Sequence, residues 1–145
     1  MREELKNAFG RVFLEVEVDT KNRWVHTNWI GYLTKDNIMT GALAYTKAVK
    51  KSGFCCVLND TSQVLGGWDH SLDWVVNQWS PQAANAGIAH FAIITKPESF
   101  ADSTATSFYE SLKAFEVMVF DDIADAKDWL RQYSLNQNRI SKISR

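Results

Sequence analysis

The feature that most constrains this chain is a period-two hairpin followed by short apolar runs alternating with helix-length amphipathic stretches. Residues 12–18 read Val-Phe-Leu-Glu-Val-Glu-Val, and the alternation after Val12 sets Leu14, Val16 and Val18 on one side and Phe13, Glu15 and Glu17 on the other. Asp19-Thr-Lys-Asn22 is a polar turn, and residues 23–32 form a second strand rich in Trp, Val, Thr and Ile. Together they predict an antiparallel hairpin with a four-residue loop. Residues 54–58 form a continuous apolar run, the pattern of a central strand covered on both faces. Further strands follow at 89–95 and 115–120.

The intervening segments carry helical spacing. Thr34 is an N-cap for a helix over 35–51. Ile38, Ala42, Tyr45 and Val49 fall within an arc of ~60°, with Met39 and Leu43 widening the stripe. Lys47, Lys50 and Lys51 crowd its last turns, where cations suit the helix dipole, and Gly53 stops it. Asn59-Asp60-Thr61-Ser62 ends the central strand, and a loop with Gly66-Gly67 leads to a helix capped by Asp69. That helix runs to Trp79, restarts or kinks at Pro81, and closes at Gly87. Residues 102–113 place Ala105, Phe108, Tyr109 and Leu112 on one face. After Asp121-Asp122 a final helix carries Ile123, Ala126, Trp129, Leu130 and Tyr133 together. The order β-β-α-β-α-β-α-β-α predicts an α/β fold: a mixed five-stranded sheet with one antiparallel edge strand and flanking helices.

Length and charge bound the rest. The 145 residues suit one domain, expected over 1–133, followed by a polar, basic tail over 134–145 holding Arg139, Lys142 and Arg145. The balance of 16 Lys+Arg against 17 Asp+Glu argues against an electrostatic nucleic-acid binder. No stretch approaches the ~20 apolar residues of a membrane-spanning helix, and the charged N-terminus lacks a signal-peptide pattern. Cys55 and Cys56 are adjacent in a run expected to be strand, where neighbours point to opposite faces. They are therefore expected to be inert, unbridged thiols of a cytoplasmic protein, without zinc-knuckle spacing.

Four pieces of this chain resemble the SpoIIAA-like branch of the STAS superfamily, a group of small bacterial domains. They are Trp24-Val-His-Thr-Asn-Trp-Ile-Gly-Tyr32, Val57-Leu-Asn-Asp-Thr61, Asp73-Trp-Val-Val-Asn-Gln-Trp79 leading to Ala86-Gly87, and Val119-Phe-Asp-Asp-Ile-Ala-Asp-Ala-Lys-Asp-Trp-Leu130. The resemblance covers about residues 11–131 and implies a non-enzymatic regulatory or protein-interaction module. In regulatory STAS proteins a Ser after an Asp at the end of the central strand is phosphorylated. By position the acceptor here would be Thr61 or Ser62. In that family the acceptor opens a helix directly, whereas Gln63–Trp68 intervene here.

Catalytic and metal constellations are not evident. His26, His70 and His90 are the three histidines, and His70 with Asp73 cannot close a metal site alone. No nucleophile elbow, Walker loop or dinucleotide fingerprint is present, so neither cofactor nor metal is expected. Two binding surfaces are candidates. On a uniform helical wheel Leu72, Val75, Val76 and Trp79 face the sheet, leaving Trp74 beside His70 and Asn77 on the polar side. That is a place for a protein partner or a second copy of the chain as a homodimer. Alternatively Trp68 and residues 59–67, with Asn59, Asp60 and Thr61, wall a pocket for a small apolar molecule or lipid at the strand C-termini.

Overall fold

A computed structural model describes residues 1–135 as a six-stranded sheet in the spatial order of the sequence. The strands are β1 (Arg2–Lys6), β2 (Val12–Asp19), β3 (Trp24–Gly31), β4 (Cys56–Val64), β5 (His90–Ile94) and β6 (Glu116–Phe120). β1, β2 and β3 are antiparallel, and β3 through β6 run parallel. The α/β class is as expected, but there is one more strand. Arg-Glu-Glu-Leu-Lys has no apolar alternation to announce it. Its backbone pairs with β2, its charges suit an exposed edge, and Leu5 opposite Leu14 is its one anchor to the core.

α1 (Lys35–Ser52) begins and ends where its sequence dictates. Thr34 and Asn37 form a reciprocal capping box, and Gly53 closes the helix in the left-handed region at φ 75°. The helical segment after β4 is less regular than expected. A 3₁₀ turn (Asp69–Ser71) passes into α2 (Leu72–Trp74), a π-helical turn (Val75–Trp79) and α3 (Ser80–Ala86). Asp69 is not its cap: it is the first residue of the 3₁₀ turn, and Trp68 precedes it without a side-chain cap. Pro81 lies in the first turn of α3, where its missing N–H costs least. The chain continues through α4 (Phe100–Ser111) to α5 (Ile123–Ser134), capped by Ser99 and Asp122 respectively. The expected 134–145 tail is thus helical at Ser134, and its residues 136–145 lie outside the described residues.

β4 also departs from expectation. The tetrad Asn59-Asp60-Thr61-Ser62 does not end the strand but continues it to Val64. Thr27 and Asn28 on β3, with Ile93 and Ile94 on β5, pair Asn59 and Asp60 from both sides. Tertiary pairing overrides the turn preference of these residue types.

The sheet divides the core in two. On one face α1, the 69–86 segment and α4 cover Leu14, Val25, Trp29, Val57, Phe91 and Ile93. On the other, α5 covers Trp24, Cys56, Leu58, Ala92 and Ile94 through Ala126 and Leu130. Trp24 and Trp29, on opposite faces of β3, are both buried.

Candidate functional site

The larger core does not close completely. Beneath α1 and the 69–86 segment is a cavity lined by the aromatic rings of Trp29, Tyr45, Trp68, Trp79, Phe91 and Phe108, with Ile38, Ala42, Val75 and Ile93 between them. Asn59 and Thr61, from the C-terminal half of β4, are polar lining residues. The space open to the centres of water-sized molecules is ≈ 40 Å³, against the ~10–15 Å³ that one water needs.

Large rings leave such a gap for a geometric reason. Trp79 meets Tyr45, Phe91 and Phe115 edge-on with centroids 5.7–5.8 Å apart, and Trp68 meets Phe108 in the same way at 5.8 Å. Edge-to-face contacts satisfy ring quadrupoles but hold ring planes apart. The remaining approach is limited by Gly41, the α1 residue that passes over Trp29. A Cβ there would come within 2.5 Å of the Trp29 ring.

The polar groups around the cavity have a common character. Asn59 Oδ1 accepts from Trp29 Nε1 at 2.8 Å and from Thr27 Oγ1 at 2.6 Å. Indole N–H can only donate, so these bonds fix the orientation of the amide. They leave its Nδ2 donors without a protein partner among the described residues. Trp68 Nε1 is buried and has no partner among the described residues. Burial pushes the Tyr45 phenol well above its usual range, so its hydroxyl keeps its proton. Thr61 Oγ1 is already committed, donating to the Ile94 carbonyl at 2.7 Å, and Trp79 Nε1 donates to Thr46 Oγ1 at 2.8 Å. The groups left over are donors. No Lys, Arg, His, Asp or Glu lines the space.

Next to Leu33, which lines the cavity, His70 forms a bridge: one ring nitrogen meets Ser71 Oγ at 2.8 Å, and the other meets the Leu33 carbonyl at 3.0 Å. The bridge ties the 3₁₀ turn to the segment after β3. Gly66, at φ 75°, packs against Tyr32, and Gly67 lies against Thr104 and Phe100. Tyr32, Leu65 and Phe100 nevertheless remain largely exposed around this loop.

The sequence-predicted residues separate accordingly. Asn59, Thr61 and Trp68 meet at the cavity, and His70 touches it only through the Leu33 carbonyl. Asp60 is half-buried and uses Oδ1 to accept from the Ser62 amide and hydroxyl at 2.8 and 2.6 Å. Of the two hydroxyls matched to the phospho-acceptor, Ser62 is exposed and Thr61 is buried. Trp74 packs half-buried against the larger core, not on a free polar face. The uniform wheel fails because 3₁₀ and π turns flank α2. His70 does not pair with Asp73 either. Asp73 instead accepts from Asn77 Nδ2 at 2.8 Å, and both are exposed. Tyr45, Phe91 and Phe108 were legible only as core residues, since nothing in helical or strand spacing marks a core position that borders a void.

A second hollow, between α1 and α3, is lined by Leu43, Thr46, Lys47, Lys50, Gln82, Asn85 and Ala86. It is open to solvent and lined mostly by exposed side chains. No helix among the described residues is long and apolar enough to cross a membrane. No protein-family model matches the chain, and no curated protein is significantly similar to it.

Proposed function

We propose that this chain is a small-ligand-binding module, and that its ligand is a compact, neutral, apolar molecule carrying one hydrogen-bond acceptor. The observation that carries the reading is Trp68, which lines an aromatic cavity and whose buried indole N–H has no protein partner among the described residues. A buried donor without a partner costs about 1–3 kcal/mol, and an acceptor oxygen on the ligand would remove that cost. Asn59 Nδ2 and the protonated Tyr45 hydroxyl offer the same hydrogen-bonding sense.

Size and charge narrow the class. At ≈ 40 Å³ the space is several times what one water needs and below the ~150 Å³ of an apolar cavity that holds benzene. A molecule of a few heavy atoms fits as the rings stand, a one-ring molecule fits when the edge-on rings part, and a diacyl lipid does not fit. A carboxylate would be buried without a counter-charge, at a cost of several kcal/mol. A ketone, ester, ether or alcohol therefore suits the site better than an acid.

The SpoIIAA-like resemblance supports a non-enzymatic regulatory role in the cytoplasm, with occupancy of the cavity as the signal. The exposed Tyr32, Leu65 and Phe100 around the Gly66-Gly67 loop are where such a signal would reach a protein partner or a second copy.

Thermal unfolding against a matched set tests the ligand class: ethylbenzene, acetophenone and benzoate share one ring and differ in the acceptor and its charge. Acetophenone is expected to raise Tm most, ethylbenzene less and benzoate not at all. A flat response across all three, or benzoate as the best ligand, would overturn the proposal.

A further inference from the structure

The other face of the sheet carries a cluster that spacing along the chain conceals. Cys56 and His90 are register partners on the adjacent parallel strands β4 and β5. Cys55 lies one residue before β4, outside the pleat that would turn it away. Its carbonyl accepts from the Ala89 and His90 amides at 2.8 and 3.2 Å, which pins the start of β5 to it. The expected opposite orientation of the two thiols is therefore not realised: Cys55 Sγ and Cys56 Sγ are 3.5 Å apart. One ligand atom from each of Cys55, Cys56 and His90 lies within 4.8 Å of the other two.

We propose that Cys55, Cys56 and His90 form a three-ligand site for a thiophilic d¹⁰ ion, Zn(II) or Cu(I). Two sulfurs and an imidazole are the ligand types such ions select. Tetrahedral Zn–S bonds of ~2.3 Å require the sulfurs to be about 3.8 Å apart, close to the observed spacing. The histidine is already held as a metal-bound imidazole would be. Its Nε2 meets Glu116 Oε2 at 3.1 Å, while its Nδ1 is buried with no partner. Donating Nε2–H to a carboxylate places the lone pair on Nδ1 and orients the ring. Tyr133 stacks on that ring at 3.6 Å and Trp129 meets its edge at 5.7 Å, fixing its plane. Three protein ligands leave one position open in a tetrahedral ion, or complete a trigonal one. Binding releases a proton from each thiol to solvent.

The test uses the full chain, reduced and kept anaerobic. Co(II) is titrated in as a spectroscopic stand-in for Zn(II), and Cu(I) is titrated against a chromophoric chelator. One ion per chain, a thiolate-to-cobalt charge-transfer band and protection of both thiols from a thiol reagent are expected. Displacement of cobalt by Zn(II), or successful competition for Cu(I), each supports the site and identifies its ion. Cys55→Ser should abolish the band. Glu116→Gln, at an exposed residue that touches no ion, should weaken binding by about 10–100-fold with the apo Tm unchanged. The site would be overturned by no band and no competition for either ion. Half an ion per chain with dimerisation, or a full band in Cys55→Ser, would also overturn it.

Discussion

The two faces of one sheet differ in how completely they are filled. Under α5, Trp24, Cys56, Leu58, Ala92, Ile94, Ala126 and Leu130 are at or near zero exposure. Small residues there, Ala92 and Ala126, let the helix settle closely onto the strands. Opposite, six large rings meet edge-on beneath α1, the 69–86 segment and α4, and the space between them stays open. Protein interiors normally pack to crystal density. A persistent gap, bordered by unpaired donors, is therefore a property to be explained and not a generic core. Away from the Cys55–Cys56–His90 cluster the closed face should respond to mutation through stability alone, and the open face through binding as well.

The largest effect should come from breaking the closed face. Leu130→Ala removes a fully buried side chain and is expected to cost about 2–5 kcal/mol, read from chemical denaturation, with acetophenone binding by the folded protein unchanged. Next is Asn59→Leu, which strands the Trp29 N–H and the Thr27 hydroxyl together. At about 1–3 kcal/mol for each stranded donor, the two make roughly 2–6 kcal/mol, partly offset by the apolar leucine, and this loss should appear in the same measurement, together with lost ligand binding. Gly41→Ala is smaller. Driving a methyl into the Trp29 ring should cost about 1–3 kcal/mol, partly offset by ~1 kcal/mol of helix propensity. A stabilised Gly41→Ala would show that the α1–Trp29 approach is not tight.

The fourth effect is pH-dependent and smaller still. His26, on the β3 surface opposite the cavity, has a buried Nε2 with no partner. Burial holds its pKa below the usual value, against the opposing pull of Asp60, Glu17 and Asp19 and with a minor contribution from Lys127. A histidine with a lowered folded pKa favours the neutral form. Its contribution is complete above the unfolded value near ~6.5 and is lost as pH falls toward the folded one. Stability should decline as pH falls below about 6.5, by at most ~1.4 kcal/mol per pH unit. His26→Gln should flatten that slope in paired denaturation series, and an unchanged slope would remove His26 as its source.

How much of this was legible in the sequence follows from which forces act locally. α1 could be read to within a residue, because Thr34, the Ile38–Ala42–Tyr45–Val49 stripe and Gly53 are all local signals. β1 could not, since an edge strand of charged residues is defined by its partner and not by its own pattern. Asn59-Asp60-Thr61-Ser62 carried a turn signature that pairing with β3 and β5 overrode. Asn59, Thr61 and Trp68 were recognisable as unusual, and they do meet. Their meeting place was not readable, because the cavity depends on ring planes from residues as far apart as Trp29 and Phe108. The Cys55–Cys56–His90 cluster was hidden for a related reason: the β4–β5 register, not sequence proximity, brings His90 to the thiols.

The most direct test of the central claim is the indole region of a ¹H–¹⁵N correlation spectrum. It should hold one side-chain N–H signal for each of the six tryptophans. Trp29 and Trp79 are hydrogen-bonded without ligand, whereas Trp68 is not. On addition of acetophenone the Trp68 signal, assigned by Trp68→Phe, should move downfield as its N–H acquires an acceptor, while ethylbenzene should leave it without that shift. A Trp68 signal that ignores acetophenone at saturating concentration, or responds equally to ethylbenzene, would contradict the assignment of this cavity to an acceptor-bearing ligand.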